Sequence, residues 1–208
     1  MSNALADTSE TLRSLLEAEL LADIGPGGLA PFFGGASTEV SIATPEELTA
    51  QKKQGRSVWL YRVARDETLL NDPPTVRPLS AGGVEMIPPP LPLRLHYLVT
   101  PIAPKAPDTE QKILGRVLRA FHARPILSGA LLRGDLMGSG AQISVRLEQM
   151  ALDEITRVWE ALEGTYQLSV SYEVTLALIT SAALPLRSSL VESVRRDGAL
   201  ILERQPAA

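Results

Sequence analysis

At 208 residues the chain suits one ordinary domain with a small appendage, large enough to bury about 70% of its unfolded surface without covalent staples. It contains no cysteine, which removes disulfides, thiolate nucleophiles and cysteine-based metal sites; no apolar run reaches membrane-spanning length, and MSNALADTSE carries no secretory pattern. The net charge of −4 is uneven: residues 1–50 hold eight acids against Arg13 alone, −7, and the remainder holds 19 Lys+Arg against 16 Asp+Glu, +3, with no basic cluster that would suit nucleic acid.

The first predicted element is a helix. Leu12, Leu15, Leu16 and Leu20 share one face, and Asp7 or Thr8 is a suitable N-cap. It stops in IGPGGLAPFFGG, where Gly25, Pro26, Gly27 and Gly28 read as a turn; no Lys-Ser/Thr follows and no strand precedes, so a phosphate loop is disfavoured. Val40 and Ile42 alternate as a short strand, and Thr44-Pro45-Glu46-Glu47 has the form of a capping box with proline at the first helical position. Ser57–Ala64, SVWLYRVA, reads as a strand covered on both faces. Residues 71–90 hold six prolines and read as a loop.

LPLRLHYLVT, Leu91–Thr100, sets Leu91, Leu93, Leu95, Tyr97 and Val99 on one face, and Pro92 suggests that this end lies at an edge. Asp108 begins a helix with capping-box spacing to Gln111 and a stripe of Ile113, Leu114, Val117, Leu118 and Phe121; Gly115 in its middle predicts close packing against another element. A glycine-rich turn, 134–140, leads to the strand ISVRLE. A helix follows through Ile155, Val158, Trp159 and Leu162, ending at Gly164. YQLSVSYEVTLALI is then a long strand with Leu168, Val170, Tyr172, Val174 and Leu176 on one face. Leu93–Thr100 and Leu168–Thr175 share the pattern Leu-x-(Leu/Val)-x-Tyr-x-Val-Thr, which predicts two long antiparallel neighbours facing one core. The fold class is therefore α/β in the α+β sense: a mixed or antiparallel sheet with long strands flanked by helices. Residues 1–185 form the domain, and 186–208 form a C-terminal arm with a hairpin signal at Asp197-Gly198.

Chemistry is sparse. His96 and His122 lack an acid at metal-ligand spacing and read as surface or hydrogen-bonded side chains; no Gly-x-Ser-x-Gly elbow occurs, and Arg133-Gly134-Asp135 reads as a turn. Asp153-Glu154 suits a helix start. These observations point away from an enzyme, call for no cofactor or metal, and suit contact with other proteins.

Several stretches in order resemble one family. ETLRSLLEAEL, LRLHYLVTP with DTEQKILGRVLRAFHARPIL, and VWEALEGTYQLSVSYEVTLAL are similar to the tube-cap, or tail-terminator, proteins of extracellular contractile injection systems. These are phage-tail-like particles whose cap family was long catalogued as a bacterial domain of unknown function. The resemblance covers most of residues 8–180. It implies a non-enzymatic homohexameric ring that closes the distal end of the inner tube and touches the terminal sheath layer; the alternative is a baseplate or tail-completion adaptor. Its implied partners are a second copy, the tube protein and the sheath protein, with neither nucleic acid nor membrane. Assembly would take place in the bacterial cytoplasm, within a particle open to extracellular release. Candidate interface residues are Glu17, Glu19 and Asp23, which would face a neighbour's basic side, and Ala199, Leu200, Ile201 and Leu202 of the arm, which either fold as a hairpin onto the chain's own sheet or add a strand to a neighbour's or the sheath's sheet.

Overall fold

The computed structural model describes residues 3–21, 39–69, 71–80, 83–104, 106–179 and 186–188. The elements are α1 (Ala4–Leu21), β1 (Glu39–Ser41), α2 (Pro45–Ala50), β2 (Gly55–Arg65), β3 (Thr75–Pro78), β4 (Val84–Ile87), β5 (Leu91–Ile102), α3 (Pro107–Ala123), β6 (Ile126–Ser128), β7 (Gln142–Glu148), α4 (Leu152–Ala161), β8 (Val170–Ile179) and β9 (Leu186–Ser188). Two compact units result. One comprises Met1–Asp72 with Pro90–Thr180, the other Pro73–Pro89 with Ser181–Ala208.

The larger unit is built on a six-stranded sheet in the order β1-β2-β5-β8-β7-β6. β1 runs parallel to β2 and every other pairing is antiparallel, so the sheet is mixed, with helices against it. The two patterned segments are indeed neighbours, and the register sets Tyr97 directly opposite Tyr172. Side chains alternate along a strand. The odd residues of β5 and the even ones of β8 therefore join one core: Leu93, Leu95, Tyr97 and Val99 with Tyr172, Val174 and Leu176, beneath Leu12, Leu15 and Leu16 of α1 and Val117, Ala120 and Phe121 of α3. Phe121 meets Tyr172 edge-to-face with centroids 4.7 Å apart, and the Tyr97 hydroxyl reaches Ser9 Oγ at 2.8 Å, so each aromatic is fixed by a partner on a helix. A smaller patch of Leu98, Ile155 and Trp159 joins α4 to the sheet, with Trp59 and Tyr61 beside it.

Several expectations need correction. α1 begins at Ala4 rather than at a cap on Asp7 or Thr8; Thr8 already lies inside the helix, with its hydroxyl donating 2.7 Å to the Ala4 carbonyl. β2 is covered on both faces only in its first half, and Val63 is 48% exposed beyond a register shift between Leu60 and Arg62. Pro92 is not at an edge, because β5 lies between β2 and β8; it sits where the β5–β8 register shifts, a break in the ladder that suits a residue without an N–H. Pro107 starts α3 a residue early, so Asp108 falls within the first turn and pairs with Lys112 at 3.2 Å instead of capping through Gln111. Gly115 is exposed, and a Cβ there would meet nothing within 4 Å among the described residues. The capping box at Thr44–Glu47 is present as expected.

The proline-rich stretch read as a loop contains strands. β3 and β4 pair with Thr75 opposite Ile87 and Pro78 opposite Val84, and β9 pairs with the other side of β4 to make a three-stranded sheet. Four-residue strands ended by prolines are too short to show a period, which is why alternation did not reveal them. The rest of the arm, with the hairpin expected at Asp197-Gly198, lies outside the described residues.

Candidate functional site

Opposite α1 and α3, the sheet presents a different surface. The ladder sets Arg62, His96, Glu173 and Arg146 in one row across β2, β5, β8 and β7. Glu148 is its hub. One carboxylate oxygen accepts from Ser171 Oγ at 2.6 Å and from the Tyr61 hydroxyl at 3.2 Å, while His96 Nδ1 stands 3.1 Å from both oxygens. Burial pushes the Glu148 carboxyl up, but the hydrogen bonds from Ser171, His96 and Tyr61 outweigh it and hold the group below the usual carboxylate range. Burial pushes the Tyr61 hydroxyl up to about 12, so it stays protonated and available as a donor.

Next to the hub, Arg94 donates 2.9 Å to Asp66 and lies 3.5 Å from Glu173. The hydrogen bond from Arg94, then that from the Thr68 hydroxyl, holds buried Asp66 down to about 2 against the opposing pull of its desolvation.

A serine, a histidine and a glutamate within reach invite comparison with a catalytic triad. Their order is wrong for one. A triad places the imidazole between nucleophile and carboxylate, whereas here the carboxylate lies between Ser171 and His96 and itself accepts the serine's hydrogen bond. The cluster fastens four strands through side chains. Sequence reasoning missed Glu148, Tyr61 and Ser171 in this role. Strand parity places Glu148 and Ser171 on the face of His96, but pairing them requires the β5-β8-β7 order, which no local pattern supplies.

Of the residues singled out as candidate contacts, Glu17 pairs within α1 with Arg13 at 2.5 Å, and Arg13 also holds Glu10. Glu19 forms an ion pair with Arg124, tying the end of α1 to the residue that caps α3. Asp23 and Ala199, Leu200, Ile201 and Leu202 lie outside the described residues. His96 is buried on Glu148, and His122 is exposed near the end of α3. Arg133-Gly134-Asp135 is indeed a turn, latched onto α1: the Asp135 N–H donates 3.0 Å to the Asp7 carboxylate and the Arg133 N–H 3.0 Å to Thr11. Gly134 has φ +58°, and a Cβ there would fall 2.1 Å from Asp7 Oδ1, so this turn requires glycine. Among the described residues, no group of three His, Asp or Glu side chains is placed to hold a metal ion.

The geometry defines an α+β domain in which a partly buried cluster of Tyr61, His96, Glu148 and Ser171 holds four strands together. The model of the Pvc16 N-terminal domain matches residues 7–193, and the chain belongs to that family. Its fold is shared with the sheath/tube terminator of an extracellular contractile injection system, PVC, in the extended state, with a TM-score of 0.59 and 19% identity over 94% of this chain. It is shared also with the tube-terminating cap of the anti-feeding prophage, with a TM-score of 0.58 and 17% identity over 95% of this chain. The chain spans 64% and 61% of the length of those two proteins. No curated relative matches it.

Proposed function

We propose that this protein is a non-enzymatic cap, or tail terminator, which closes the distal end of the inner tube of a contractile injection system and contacts the terminal sheath layer. The observation that carries the reading is its family membership over residues 7–193, supported by a fold held in common with two tube-terminating proteins along nearly the whole chain. The physical requirement is simple. A stack of tube rings exposes the same unsatisfied surface at its growing end, and growth continues until something different binds there. A terminator must match that surface on one side and offer no copy of it on the other. A homohexameric ring made by head-to-tail contacts would satisfy this, because such contacts close. Tube and sheath proteins would be its partners. It would assemble in the bacterial cytoplasm as part of a particle that can leave the cell. Among the described residues, no helix is long and apolar enough to cross a membrane.

Acidic residues 1–50 against the positive remainder could supply the two sides of the ring contact. Because Glu19 already holds Arg124, reversing it alone would also loosen α1 from α3. The swap Glu19→Arg with Arg124→Glu keeps the pair while moving the charge, and reduced oligomer mass at low salt is the expected result. The cap reading itself is tested by electron microscopy of a strain lacking this protein. Tubes and sheaths of uncontrolled length are expected; particles of normal length would refute it.

A further inference from the structure

Among the described residues, the outer margin of β7 is only half covered. β6 pairs with Gln142, Ile143 and Ser144, and the last bond on that side runs from the Val145 N–H to the Pro125 carbonyl at 2.8 Å. Proline has no N–H to return, so the Val145 carbonyl receives nothing from it. Alternate residues of a strand turn their main-chain groups the same way, so Leu147 points its N–H and C=O outward as Val145 does. Among the described residues, no backbone bond reaches Leu147 from that side.

Beside this open margin lies a cavity of about 570 Å³ whose lining is mostly apolar, chiefly Leu118, Phe121, Val145, Leu147 and Tyr172, with Arg119 and His122 of α3 also on it. Leu147 is 58% exposed and Ile126 57%. Proteins blunt an open strand edge with charge, proline or a covering element, and past Pro125 the cavity side of this edge carries a leucine. An unpaired strand margin next to an apolar cavity meets both needs of strand addition: main-chain groups for strength, and a recess for alternate side chains.

We propose that Ala199-Leu200-Ile201-Leu202 of a second copy adds as a short strand along Leu147 and seats alternate side chains in this cavity. The second copy is the one supplied by ring closure, so the proposal rests to that extent on the cap reading. Three features favour this occupant. The run is uncharged and aliphatic, matching the apolar part of the cavity lining. Its four residues suit the short open stretch from Val145 to Leu147. The acid that follows it, Glu203, would fall near Arg119 when it turns to the cavity side and near Arg146 when it turns to the other face. Donation between copies leaves each chain with one arm to give and one edge to fill, the heterologous arrangement that closing a ring satisfies.

The chain has no cysteine, so any disulfide formed is an introduced one. Full-length chains carrying Arg146→Cys are mixed under oxidising conditions with chains carrying Leu200→Cys, Ile201→Cys or Leu202→Cys. A docked strand turns successive side chains to opposite faces. Intermolecular cross-links are therefore expected either at Leu200 and Leu202 or at Ile201, and the favoured set should exceed the other by roughly tenfold. Adding Leu147→Arg to the Arg146→Cys chain should abolish them, and because Leu147 is exposed that chain still folds, as circular dichroism will verify. Equal linking at all three positions, no linking, or doubly substituted chains closing on themselves when dilute would each overturn the proposal. Tube length in the deletion strain is a separate readout. Normal lengths there, together with alternating cross-links, would remove the cap reading and leave the strand contact standing.

Discussion

On one face of the six-stranded sheet, Leu95, Tyr97, Val174 and Leu176 meet the leucines of α1 and Phe121 of α3 with almost no exposure. On the other face, beyond the patch under Trp159, the strands carry Arg62, His96, Glu173 and Glu148. The first face gains its energy from apolar area, which is indifferent to exact partners. The second gains it from directional bonds that fit one strand order only. Tyr61 comes from β2, His96 from β5, Ser171 from β8 and Glu148 from β7, so a slip of any one strand would leave buried polar atoms without partners. We expect most of the stability to come from the apolar side, while the polar side adds directional bonds that reinforce the register its alternation already selects.

The largest effect is expected on the apolar side. Phe121→Ala removes the ring that meets Tyr172 edge-to-face and should cost about 3–5 kcal/mol in urea unfolding. Trp159→Ala, in the smaller patch under α4, also frees Ser169 from its hydrogen bond with the indole at 3.2 Å. If it cost clearly more than Phe121→Ala, the division of labour between the faces would fail.

On the polar side, Glu148→Ala leaves Ser171, Tyr61 and His96 without their acceptor and should cost about 1–3 kcal/mol. Hydrogen exchange sharpens the comparison. Protection in β7 and β8 should fall more than in α1, whereas Phe121→Ala should lower all three together.

A third and smaller effect separates the faces by pH. Asp66 is held down to about 2 in the folded protein, against an ordinary carboxyl value near 4. Its contribution is therefore fully present above about pH 4 and is lost as pH falls toward 2, amounting to at most about 2 kcal/mol. Asp66→Asn should flatten the stability profile across that window. Phe121→Ala should shift the whole profile down without changing its shape.

The contrast also explains what the sequence made legible. Long strands with an aliphatic row carry their period openly, so β5, β8 and their adjacency followed from Leu93–Thr100 and Leu168–Thr175, as did the apolar stripes of α1 and α3. The capping box at Thr44–Glu47 was equally local. The polar hub was hidden because its members stand on four strands far apart in sequence, and none is unusual where it stands. Pro92 misled because a bulge lets a central strand accept a proline. β3 and β4 were missed because four residues hold too little alternation. Glu17 and Glu19 looked available for a neighbour because Arg13 and Arg124 become their partners only once the helices are built and packed.

The smallest effect concerns the outer side of α3. Gly115 lies mid-helix and exposed, with open space where a Cβ would stand, so nothing among the described residues explains it. Alanine there should stabilise the isolated protein by up to about 1 kcal/mol, because it removes backbone freedom from the unfolded chain and adds no clash. A helix that keeps glycine at such a cost is expected to use it where another backbone comes close. The measurement is therefore made twice, by thermal unfolding of the dilute chain and by oligomer mass at high concentration. Greater stability with reduced mass would place a protein contact on the outer surface of α3, which neither face of the sheet provides. Greater stability with unchanged mass would confine assembly to the other surfaces, and a loss of stability would contradict the open space at Gly115.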